Sequence, residues 1–469
     1  MGVTALILAA GEGTRMRSSL PKVAHEILGV PMVRLVVDAA LEAGCDRIVA
    51  VTGHKAEQVE ALLPDVTCVR QDRQLGTGHA VMCAAEALEG VAGSLVVLSG
   101  DTPLMSSETI RGLVAMRESA GDAATLLTAH MADPAGYGRI VRDRDGGVEA
   151  IVEEKDCTPE QRTIHEVNTG TYCFDVGVLL ARLERLSTDN AQGEYYLTDM
   201  VEILNREGLA VGATMTEDPL ETLGVNSRVQ LAQAAKVLQH RVNRRLMLSG
   251  VTMTDPDLVW VAPGVDVAQD VELLPMTFLM GESSVAEGAI VGPDSRVTDS
   301  AIGERALIDS SIVTGSIVGP DVTVGPRAYL RPGTRLEEGS KVGTCVEVKN
   351  STVGPGSKVP HLSYIGDATI GRDVNVGAGS ITCNYDGFSK HRTVIGDGAF
   401  IGSDTMLVAP VEIGAGTVTG AGSAISRDVE SGALVVERSE QRVIEGWADR
   451  RRAALKKKAE ESKERTRDA

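Results

Sequence analysis

Aliphatic residues recur at every sixth position through much of the second half of the chain. The uninterrupted runs are Val318, Val324, Leu330, Leu336, Val342 and Val348, followed later by Ile395, Ile401, Leu407 and Ile413. A six-residue period is typical of the hexapeptide repeat of a parallel β-helix, in which each hexad supplies one short strand and a turn. Strands of an ordinary sandwich do not keep such a register. The pattern therefore predicts a β-helix, with the aliphatic residues pointing inward.

The hexad register has two weak stretches. It is irregular from Val251 to Ser316, and it breaks at Thr382–Thr393. An excursion from a repetitive prism serves no packing need, so we expect the second stretch to reach a neighbouring subunit or a substrate.

The first half of the chain alternates strand-like and helix-like segments. The predicted strands are Val3–Ala10, Arg47–Thr52, Val66–Arg70 and Ser94–Leu98, and the predicted helices are Val33–Ala43, Ala56–Leu63 and Ala80–Leu88. This alternation predicts an α/β fold with a doubly wound, mainly parallel sheet. Ligands of such sheets bind at the carboxyl ends of the strands.

A single long helix is predicted between the two patterns, over Val229–Leu248. It ends at Ser249-Gly250, which is a typical helix stop signal. We interpret it as a linker and expect domains at 1–228 and 251–440, joined by residues 229–250 and followed by a charged tail at 441–469. From Trp447 onward the tail holds nine basic and five acidic residues, and a solvated helix or a disordered end is the simplest interpretation.

Composition adds a few constraints. The chain has 469 residues, of which 51 are glycine and only 3% are aromatic, which suits a narrow aliphatic prism with many turns. The net charge of −19 argues against non-specific nucleic-acid binding. Seven scattered cysteines, no secretory signal and no apolar run of membrane-spanning length favour a reduced, cytoplasmic protein without membrane insertion.

The strongest candidate for ligand chemistry follows the first predicted strand. The string Leu6-Ile-Leu-Ala-Ala-Gly-Glu-Gly-Thr-Arg-Met16 is glycine-rich and basic, and Lys22 follows shortly after. Glycine lets the backbone approach a ligand, and backbone N–H groups with basic side chains suit a polyphosphate. A glycine-rich turn is the alternative, but the full string favours nucleotide binding. It is neither a Walker loop nor a complete G-x-G-x-x-G.

Two further positions carry candidate roles beside that loop. Asp101 follows a predicted strand, where a carboxylate can hold Mg²⁺ against a triphosphate; the alternative interpretation is that it caps a helix starting near Pro103 or Ser107. Gln71, Gly76 and Thr77 can read a base edge through amide and backbone groups, and a neutral turn is an equally good local explanation.

These motifs resemble those of sugar-nucleotide pyrophosphorylases, and residues 3 to about 227 resemble the uridylyltransferase half of the bacterial bifunctional enzymes that make UDP-N-acetylglucosamine. The resemblance implies UTP and N-acetylglucosamine 1-phosphate as substrates and pyrophosphate as a product. The nucleotide would be held by Leu8, Ala9, Ala10, Gly11, Arg15, Lys22, Gln71, Gly76 and Thr77; the sugar by Gly138, Glu153 and Asn168; and Mg²⁺ by Asp101 and Asn226. The role of Asn226 rests wholly on the family.

The repeat region resembles the acetyltransferase half of the same family, which implies a left-handed β-helix, a homotrimer, and acetyl-CoA and glucosamine 1-phosphate as substrates. His361 would be the general base, since an imidazole can accept a proton near neutral pH. Arg331, Lys349, Tyr364, Asn375 and Lys390 would bind the sugar phosphate, and Ala378, Asn384, Tyr385, Ser403, Ala421 and Arg438 would line the acetyl-CoA groove. For the small residues, ordinary packing is an equally good local explanation.

Two other functions stay open on the sequence. One is a pyrophosphorylase with a single activity, whose β-helix only regulates it or forms oligomers. The other is a nucleotide-sensing scaffold, which is expected to lack the acidic metal ligand or the basic loop. The presence of Asp101, Arg15 and Lys22 speaks against the scaffold. The cluster of His361, Lys349 and Tyr364 speaks against a single activity, and release of thiol from acetyl-CoA distinguishes the enzyme with one activity from the enzyme with two.

Overall fold

The structure, a computed structural model, describes residues 2–467 of the chain, and its side chains as far as residue 460. The chain packs as two compact units, of which the first ends at Ser300 and the second begins at Ala301. This boundary falls inside the region of short strands. The limits of 228, 250 and 440 that the sequence suggests therefore stay predictions.

The first unit is built on a nine-stranded mixed sheet. Seven strands lie side by side, and the fifth of them, Val3–Ala9, is parallel to both of its neighbours. Only Glu166–Asp175 runs antiparallel within this row, and it also pairs with the hairpin Arg139–Arg142 and Val148–Val152. The row consists of Val211–Met215, Ala124–His130, Glu166–Asp175, Ser94–Ser99, Val3–Ala9, Arg47–Thr52 and Thr67–Arg70. The predicted α/β sheet is confirmed as mainly parallel.

Helices cover both faces of this sheet and bury aliphatic side chains against it. The α-helices of the first unit are Met32–Glu42, Ala56–Glu60, Thr77–Cys83, Ser107–Ala120, Val176–Leu180, Asp199–Arg206 and Arg228–Leu248. Single turns of 3-10 helix lie at Thr14–Met16, Lys22–Ala24, Glu86–Leu88, Gln161–Thr163, Leu183–Arg185, Pro219–Thr222 and Pro256–Leu258, and Glu26–Ile27 pairs with Val30–Pro31. The predicted helix Ala80–Leu88 begins three residues earlier, at Thr77, and is divided into the α-helix Thr77–Cys83 and the 3-10 turn Glu86–Leu88.

The cap of the helix Ser107–Ala120 decides one of the alternatives left open for Asp101. The hydroxyl of Ser106 accepts a hydrogen bond from the backbone N–H of Thr109, so Ser106 is the N-cap. Asp101 does not cap this helix, and no helix begins at Pro103 in the described part of the chain.

The β-helix already begins in the first unit. Its strands there lie on three faces: Thr252–Met253, Glu272–Leu273 and Ile290–Val291; Val259–Val261, Thr277–Met280 and Arg296–Thr298; and Asp266–Val267 with Ser284–Val285. The expectation of an irregular register is wrong between 261 and 297. The buried residues Val261, Val267, Leu273, Leu279, Val285, Val291 and Val297 keep the six-residue period without a slip.

The long helix Arg228–Leu248 packs against the first strands of this region. Its buried amides, Gln239 and Asn243, both donate hydrogen bonds to the carbonyl oxygen of Val259, at 2.6 and 2.9 Å. The helix ends at Leu248, with Ser249 as its C-cap residue, as predicted. Buried backbone carbonyls need a hydrogen-bond donor, and the strand of Val259 has no preceding coil within the described residues to supply one. The two amides supply this donor and so close the end of the prism.

The second unit has the same architecture, with its strands on three faces. The first face consists of Leu307–Ile308, Thr323–Val324, Lys341–Thr344, Lys358–His361, Asn375–Val376, Phe400–Ile401, Val418–Thr419 and Leu434–Val435. The second consists of Ile312–Thr314, Tyr329–Leu330, Glu347–Lys349, Tyr364–Gly366, Ile381–Cys383, Met406–Val408 and Ala424–Ile425. The third consists of Ala301–Ile302, Ile317–Val318, Arg335–Leu336, Thr352–Val353, Ala368–Ile370, Thr393–Ile395 and Val411–Ile413.

The register of these faces explains the hexad pattern. All pairs between successive coils are parallel, and Leu330 pairs with Val348, so that one coil corresponds to three hexads. Val324, Leu330 and Leu336 occupy the three faces of one coil, and each is at most 1% exposed. A core of this width accepts one aliphatic side chain per face, which confirms the predicted β-helix of hexapeptide repeats.

The chain ends in the helix Trp447–Arg467. Its described side chains are exposed, in agreement with a solvated helix, and residues 468–469 of the predicted tail lie outside the described residues. None of the helices among the described residues has the length and apolar character that crossing a bilayer requires.

Candidate active sites

A cavity of about 260 Å³ opens at the carboxyl edge of the sheet in the first unit. It lies where the strands Val3–Ala9, Thr67–Arg70 and Ser94–Ser99 end, as the topology predicts. The residues that line it are Leu8, Ala9, Ala10, Gly11, Lys22, Val23, Gln71, Gln74, Gly76, Thr77, Ala80, Ser99, Asp101 and Glu194. Nine of these were predicted as nucleotide or metal ligands.

A cationic cluster forms one wall of this cavity. The ammonium nitrogen of Lys22 lies 2.5 Å from Asp101 Oδ2 and donates to Asn226 Oδ1 at 3.1 Å. The backbone N–H of Val225 donates to the carbonyl of Asp101 at 2.8 Å, which ties the two loops together. Two oxygens from distant parts of the chain therefore converge on one cation.

The two glycines of the first loop have different roles. A Cβ built on Gly11 would meet no protein atom within 4 Å, so this position is open toward the cavity. Gly13 has φ of +67°, and its Cβ would lie 2.5 Å from Cβ of Lys22. The interpretation that both glycines make room for a ligand is wrong for Gly13, which makes room for Lys22.

The opposite wall contains Gln71, Gly76 and Thr77. Gln71 is buried, and its amide nitrogen donates to the carbonyl oxygen of Gly76 at 3.1 Å. Thr77 Oγ1 accepts a hydrogen bond from the backbone of Leu197. Gly76 has φ of +106°, and a Cβ there would lie 2.4 Å from the carbonyl oxygen of Tyr195. This wall is therefore fixed by the segment 194–197.

Substitution of Gly76 tests this close approach. We expect Gly76→Ala to lose about 1–3 kcal/mol of unfolding free energy, because the backbone is strained and Tyr195 must move, and to raise KM for the nucleotide. Denaturation curves and initial rates measure the two effects. Gly90→Ala is the matched control, since its φ is +74° but no atom lies near its Cβ. An equal loss in both variants would mean that the clash with Tyr195 is unimportant.

The predicted sugar ligands also come together. A Cβ on Gly138 would lie 3.5 Å from Glu153 Oε1 and 3.6 Å from Asn168 Cβ, and Asn168 N donates to the carbonyl of Gly138. Burial raises the pKa of Glu153, which accepts a hydrogen bond from Thr198. Tyr137 precedes Gly138 in the chain, and burial, together with the nearby Asp101, raises the pKa of its phenol.

The sequence prediction differs from the site in two respects. Arg15 is exposed, does not line the cavity, and has no hydrogen bond or ion pair from its guanidinium among the described residues. Gln74 and Glu194 line the cavity but were not assigned a role. Gln74 Nε2 donates to the carbonyl of Ala10 at 3.1 Å, which joins the two walls. The only signal for them was their position within the polar runs 71–79 and 192–199.

A second group of predicted residues lies on the β-helix, at the corner between its second and third faces. Lys349 ends a strand of the second face, and its Cα pairs with Gly366 on the next coil. The neighbouring ammonium of Lys349 lowers the pKa of Lys390. Arg331 lies one coil before Lys349, and its backbone N–H donates to the carbonyl of Val348. Three cations therefore lie along one edge.

Polar groups hold this cationic corner in place. Although burial opposes the effect, hydrogen bonds from Asn350 and Asn384 lower the pKa of Asp367, at 2.6 and 2.5 Å. A Cβ on Gly366 would lie 2.5 Å from the hydroxyl of Tyr364 and 2.7 Å from the amide of Asn384. Tyr364 therefore reaches across the second face toward the corner. Asn384, predicted for acetyl-CoA, lies in this group.

His361 lies at the opposite edge of the second face, at the corner with the first face. Its carbonyl accepts hydrogen bonds from Ser363 Oγ at 2.8 Å and from Gly379 N at 3.3 Å. Its exposed imidazole has no hydrogen-bond or ion-pair partner among the described residues. Asn375 begins the next strand of the first face and pairs with Lys358.

The small residues predicted for acetyl-CoA form a column along the corner of His361. Asp404 N donates to the carbonyl of Ala378 at 2.7 Å, and Gly422 N donates to that of Ser403 at 2.8 Å. Arg438 completes the column through a hydrogen bond from Nη1 to the carbonyl of Ala421 at 2.9 Å. Since Gly379 is bonded to His361, the column begins one coil after the candidate base.

The predicted excursion is a compact loop that projects from the prism. His391 N donates to the carbonyl of Asn384 at 2.8 Å, so the ends of the loop meet. Asp386 accepts hydrogen bonds from the backbone of Phe388 and Ser389, and these bonds, together with His391, hold the pKa of Asp386 well below its usual range. Tyr385 is 60% and Phe388 is 95% exposed. The loop thus presents two aromatic rings to its surroundings.

Comparison with known families agrees with both sites. A family described as MobA-like NTP transferase domain matches residues 5–189, and one described as bacterial transferase hexapeptide (six repeats) matches residues 392–427. Proteins named bifunctional protein GlmU are similar along almost the whole chain. The protein from Heliobacterium modesticaldum is 51% identical over 96% of this chain and 98% of its own length. Those from Pelobacter propionicus and Streptomyces avermitilis are 46% and 49% identical, over 97% and 95% of this chain and 99% and 94% of their own lengths.

The chain belongs to the GlmU family of bifunctional proteins. It is a transferase with two activities, and the predicted combination of uridylyl transfer and acetyl transfer in UDP-N-acetylglucosamine synthesis is confirmed at the level of the family. A pyrophosphorylase with a single activity and a nucleotide-sensing scaffold are thereby excluded. The roles of individual residues remain to be argued from the geometry.

Proposed function

We propose that the β-helix acetylates glucosamine 1-phosphate with acetyl-CoA, and that the first unit then transfers UMP from UTP to the N-acetylglucosamine 1-phosphate produced, releasing pyrophosphate. One observation carries the second reaction. The ammonium of Lys22 is held by Asp101 and Asn226 in a cavity whose other wall is Gln71 and Gly76. In such a site the charged wall can bind the phosphates of a nucleotide, and the amide and backbone groups of the other wall can bind its base.

The uridylyl transfer needs no protein nucleophile. A phosphate oxygen of the sugar attacks the α-phosphorus of UTP in line, and pyrophosphate leaves. The open backbone at Gly11 accepts the phosphates, and Lys22 neutralises their charge. Glu153 and Asn168 receive the sugar hydroxyls beside Gly138. The contribution of the site is positioning and charge.

The site also suits Mg²⁺. Asp101 Oδ2 and Asn226 Oδ1 already share one cation, the Lys22 ammonium, and both are hard oxygen ligands. The described residues contain no group of three or more acidic, histidine or cysteine side chains suited to a metal, so substrate phosphates and water would complete the coordination. When bound, Mg²⁺ offsets phosphate charge. Asp101 and Asn226 would hold it.

The acetyl transfer uses both edges of the second face. Arg331, Lys349 and Lys390 bind the sugar phosphate, while Tyr364 and Asn375 orient the sugar. His361 removes one proton from the sugar ammonium, and the free amine attacks the carbonyl carbon of the thioester. The C–S bond breaks, and the second proton lost from the nitrogen passes to the departing thiolate, which leaves as the thiol of coenzyme A. The column of Ala378, Ser403 and Ala421, with Tyr385, Asn384 and Arg438, holds acetyl-CoA.

The protein would act in the cytoplasm as a homotrimer. The loop between Asn384 and His391 supports this assembly, because its internal hydrogen bonds present Phe388 rigidly and almost fully exposed. An exposed aromatic side chain on an ordered loop is costly in water and is suited to a neighbouring surface.

The trimer can be tested at the tip of this loop. We expect Phe388→Asp to weaken assembly by about 2 kcal/mol, roughly 30-fold, and to lower acetyl transfer, as loss of an aromatic anchor does. Light scattering and thiol release measure the two effects. Leu220→Asp, an apolar-to-acidic change at a 50% exposed residue of the first unit, should alter neither. A wild-type monomer with full acetyl transfer would contradict the trimer.

The complete function is tested by one product assay. Purified protein is supplied with glucosamine 1-phosphate, acetyl-CoA, UTP and Mg²⁺, and the formation of UDP-N-acetylglucosamine is followed together with thiol and pyrophosphate. When the sugar supplied is not acetylated, omission of acetyl-CoA should stop the release of pyrophosphate and the formation of UDP-N-acetylglucosamine. Uridylyl transfer at an equal rate without acetyl-CoA would contradict the proposed order.

A further inference from the structure

The side-chain amide of Gln71 uses both of its N–H groups inside the protein. Nε2 lies 3.1 Å from the carbonyl oxygen of Gly76 and 2.9 Å from Nδ1 of His79. A carbonyl oxygen can only accept, so the nitrogen, and not the oxygen, faces Gly76. The amide oxygen Oε1 is then the remaining polar atom of a buried side chain that lines the nucleotide cavity.

The same arrangement defines the state of His79. Because Nε2 of Gln71 donates, Nδ1 of His79 must accept, and the imidazole is neutral with its proton on Nε2. The ring is fixed by its surroundings. It stacks on Tyr195 at 6.3 Å between centroids, and Cys83 Sγ lies 3.8 Å from Nδ1. His79 belongs to the helix Thr77–Cys83 and does not line the cavity.

We propose that His79 is a positioning residue that, together with the carbonyl of Gly76, sets base specificity by orienting the amide of Gln71. With His79 accepting, Gln71 offers an acceptor oxygen to the base, and the site selects a pyrimidine with an N–H at position 3. This inference deepens the proposed function and rests on the nucleotide binding proposed for this cavity.

The chemistry distinguishes two closely similar bases. Uracil carries N3–H, which donates to Oε1, whereas cytosine carries a bare N3 acceptor, which would face the same oxygen without a hydrogen. Sites built to bond a substrate N–H reject analogues that lack it strongly, because a buried acceptor is left unpaired. If the amide of Gln71 turned over, its nitrogen would instead suit cytosine.

Three variants test the role of His79. His79→Phe keeps a ring against Tyr195 but removes the acceptor, and we expect about a 10-fold fall in the ratio of kcat/KM for UTP to that for CTP. His79→Asn, whose side-chain oxygen can replace Nδ1, should restore most of the ratio. His240→Phe is the matched control, because that exposed ring loses one hydrogen bond, to Asp257, and has no contact with Gln71. It should leave the ratio unchanged.

Coupling to Gln71 separates positioning from a structural role. In a Gln71→Ala background, His79→Phe should no longer change the UTP-to-CTP ratio, because the two residues act through one amide. Loss of kcat/KM for both nucleotides with an unchanged ratio would overturn the inference and assign His79 a structural role. Absence of pyrophosphate release by the wild-type protein from any nucleoside triphosphate would instead contradict the proposed function. Far-ultraviolet circular dichroism and thermal unfolding verify that each variant is folded.

Discussion

Asp101→Ala is expected to reduce uridylyl transfer by at least about 10²–10³-fold, the usual cost of removing one preorganised charge from a reaction of this kind. Asp101 Oδ2 contacts the Lys22 ammonium at 2.5 Å, and Asn226 contacts the same ammonium. Without the carboxylate, Lys22 loses its orientation and the proposed metal site keeps only a neutral amide oxygen. Pyrophosphate release from UTP, with N-acetylglucosamine 1-phosphate as acceptor, measures the loss.

The controls for this variant separate charge from folding. Asp65→Ala also removes a carboxylate from an ion pair of the first unit, at 2.7 Å from Arg34, and should leave both activities near wild type. Acetyl transfer by the Asp101 variant should persist. Binding of Mn²⁺ in the presence of UTP, followed by electron paramagnetic resonance, should weaken with Asp101→Ala, since Mn²⁺ shares the preference of Mg²⁺ for oxygen ligands. Near wild-type pyrophosphate release would refute the assignment of Asp101.

The repeat architecture was predictable because each hexad buries one aliphatic residue independently of distant sequence. Leu330 and Val348 are neighbours on one face only because they are separated by three hexads. The same six-residue period extends from Val261 to Val297, where apolar residues on outward positions, such as Trp260 and Phe278, obscure it in the sequence. Burial in the structure separates the two sets: Leu279 is fully buried and Phe278 is partly exposed.

The candidate sites were predictable only in part from local pattern. The topology of the sheet brings the loops after Ala9 and Ser99 to one edge, so Gly11 and Asp101 could be expected together. Asn226 is 204 residues from Lys22, and no spacing rule predicts that its amide oxygen reaches the Lys22 ammonium. Likewise, the contact between Gly13 and Lys22, and that between Gly76 and Tyr195, depend on how separate segments pack. The sequence shows glycine at positions 13 and 76, but it does not show the packing that requires glycine there.

His361→Ala is expected to abolish most acetyl transfer while uridylyl transfer stays close to wild type. The imidazole is exposed at the corner between the first and second faces, so its removal leaves no cavity in the prism. Its backbone stays fixed through bonds from Ser363 and Gly379. Without a base the sugar amine remains protonated and has no lone pair for attack on the thioester. Loss of a positioned base typically costs about 10²–10⁴ in rate.

Two measurements on the purified His361→Ala variant decide the assignment: thiol release from acetyl-CoA, and pyrophosphate release from UTP with an acetylated acceptor. Added imidazole should restore part of the thiol release, because a free base can enter the space left at an exposed position, whereas a misfolded protein would not respond. His165→Ala removes another exposed histidine, from the first unit, and should change neither activity. Unchanged thiol release would exclude His361 as the base. Parallel loss of both activities would indicate either misfolding or a single shared site, because nothing in the chemistry of His361 concerns the Lys22 and Asp101 cluster.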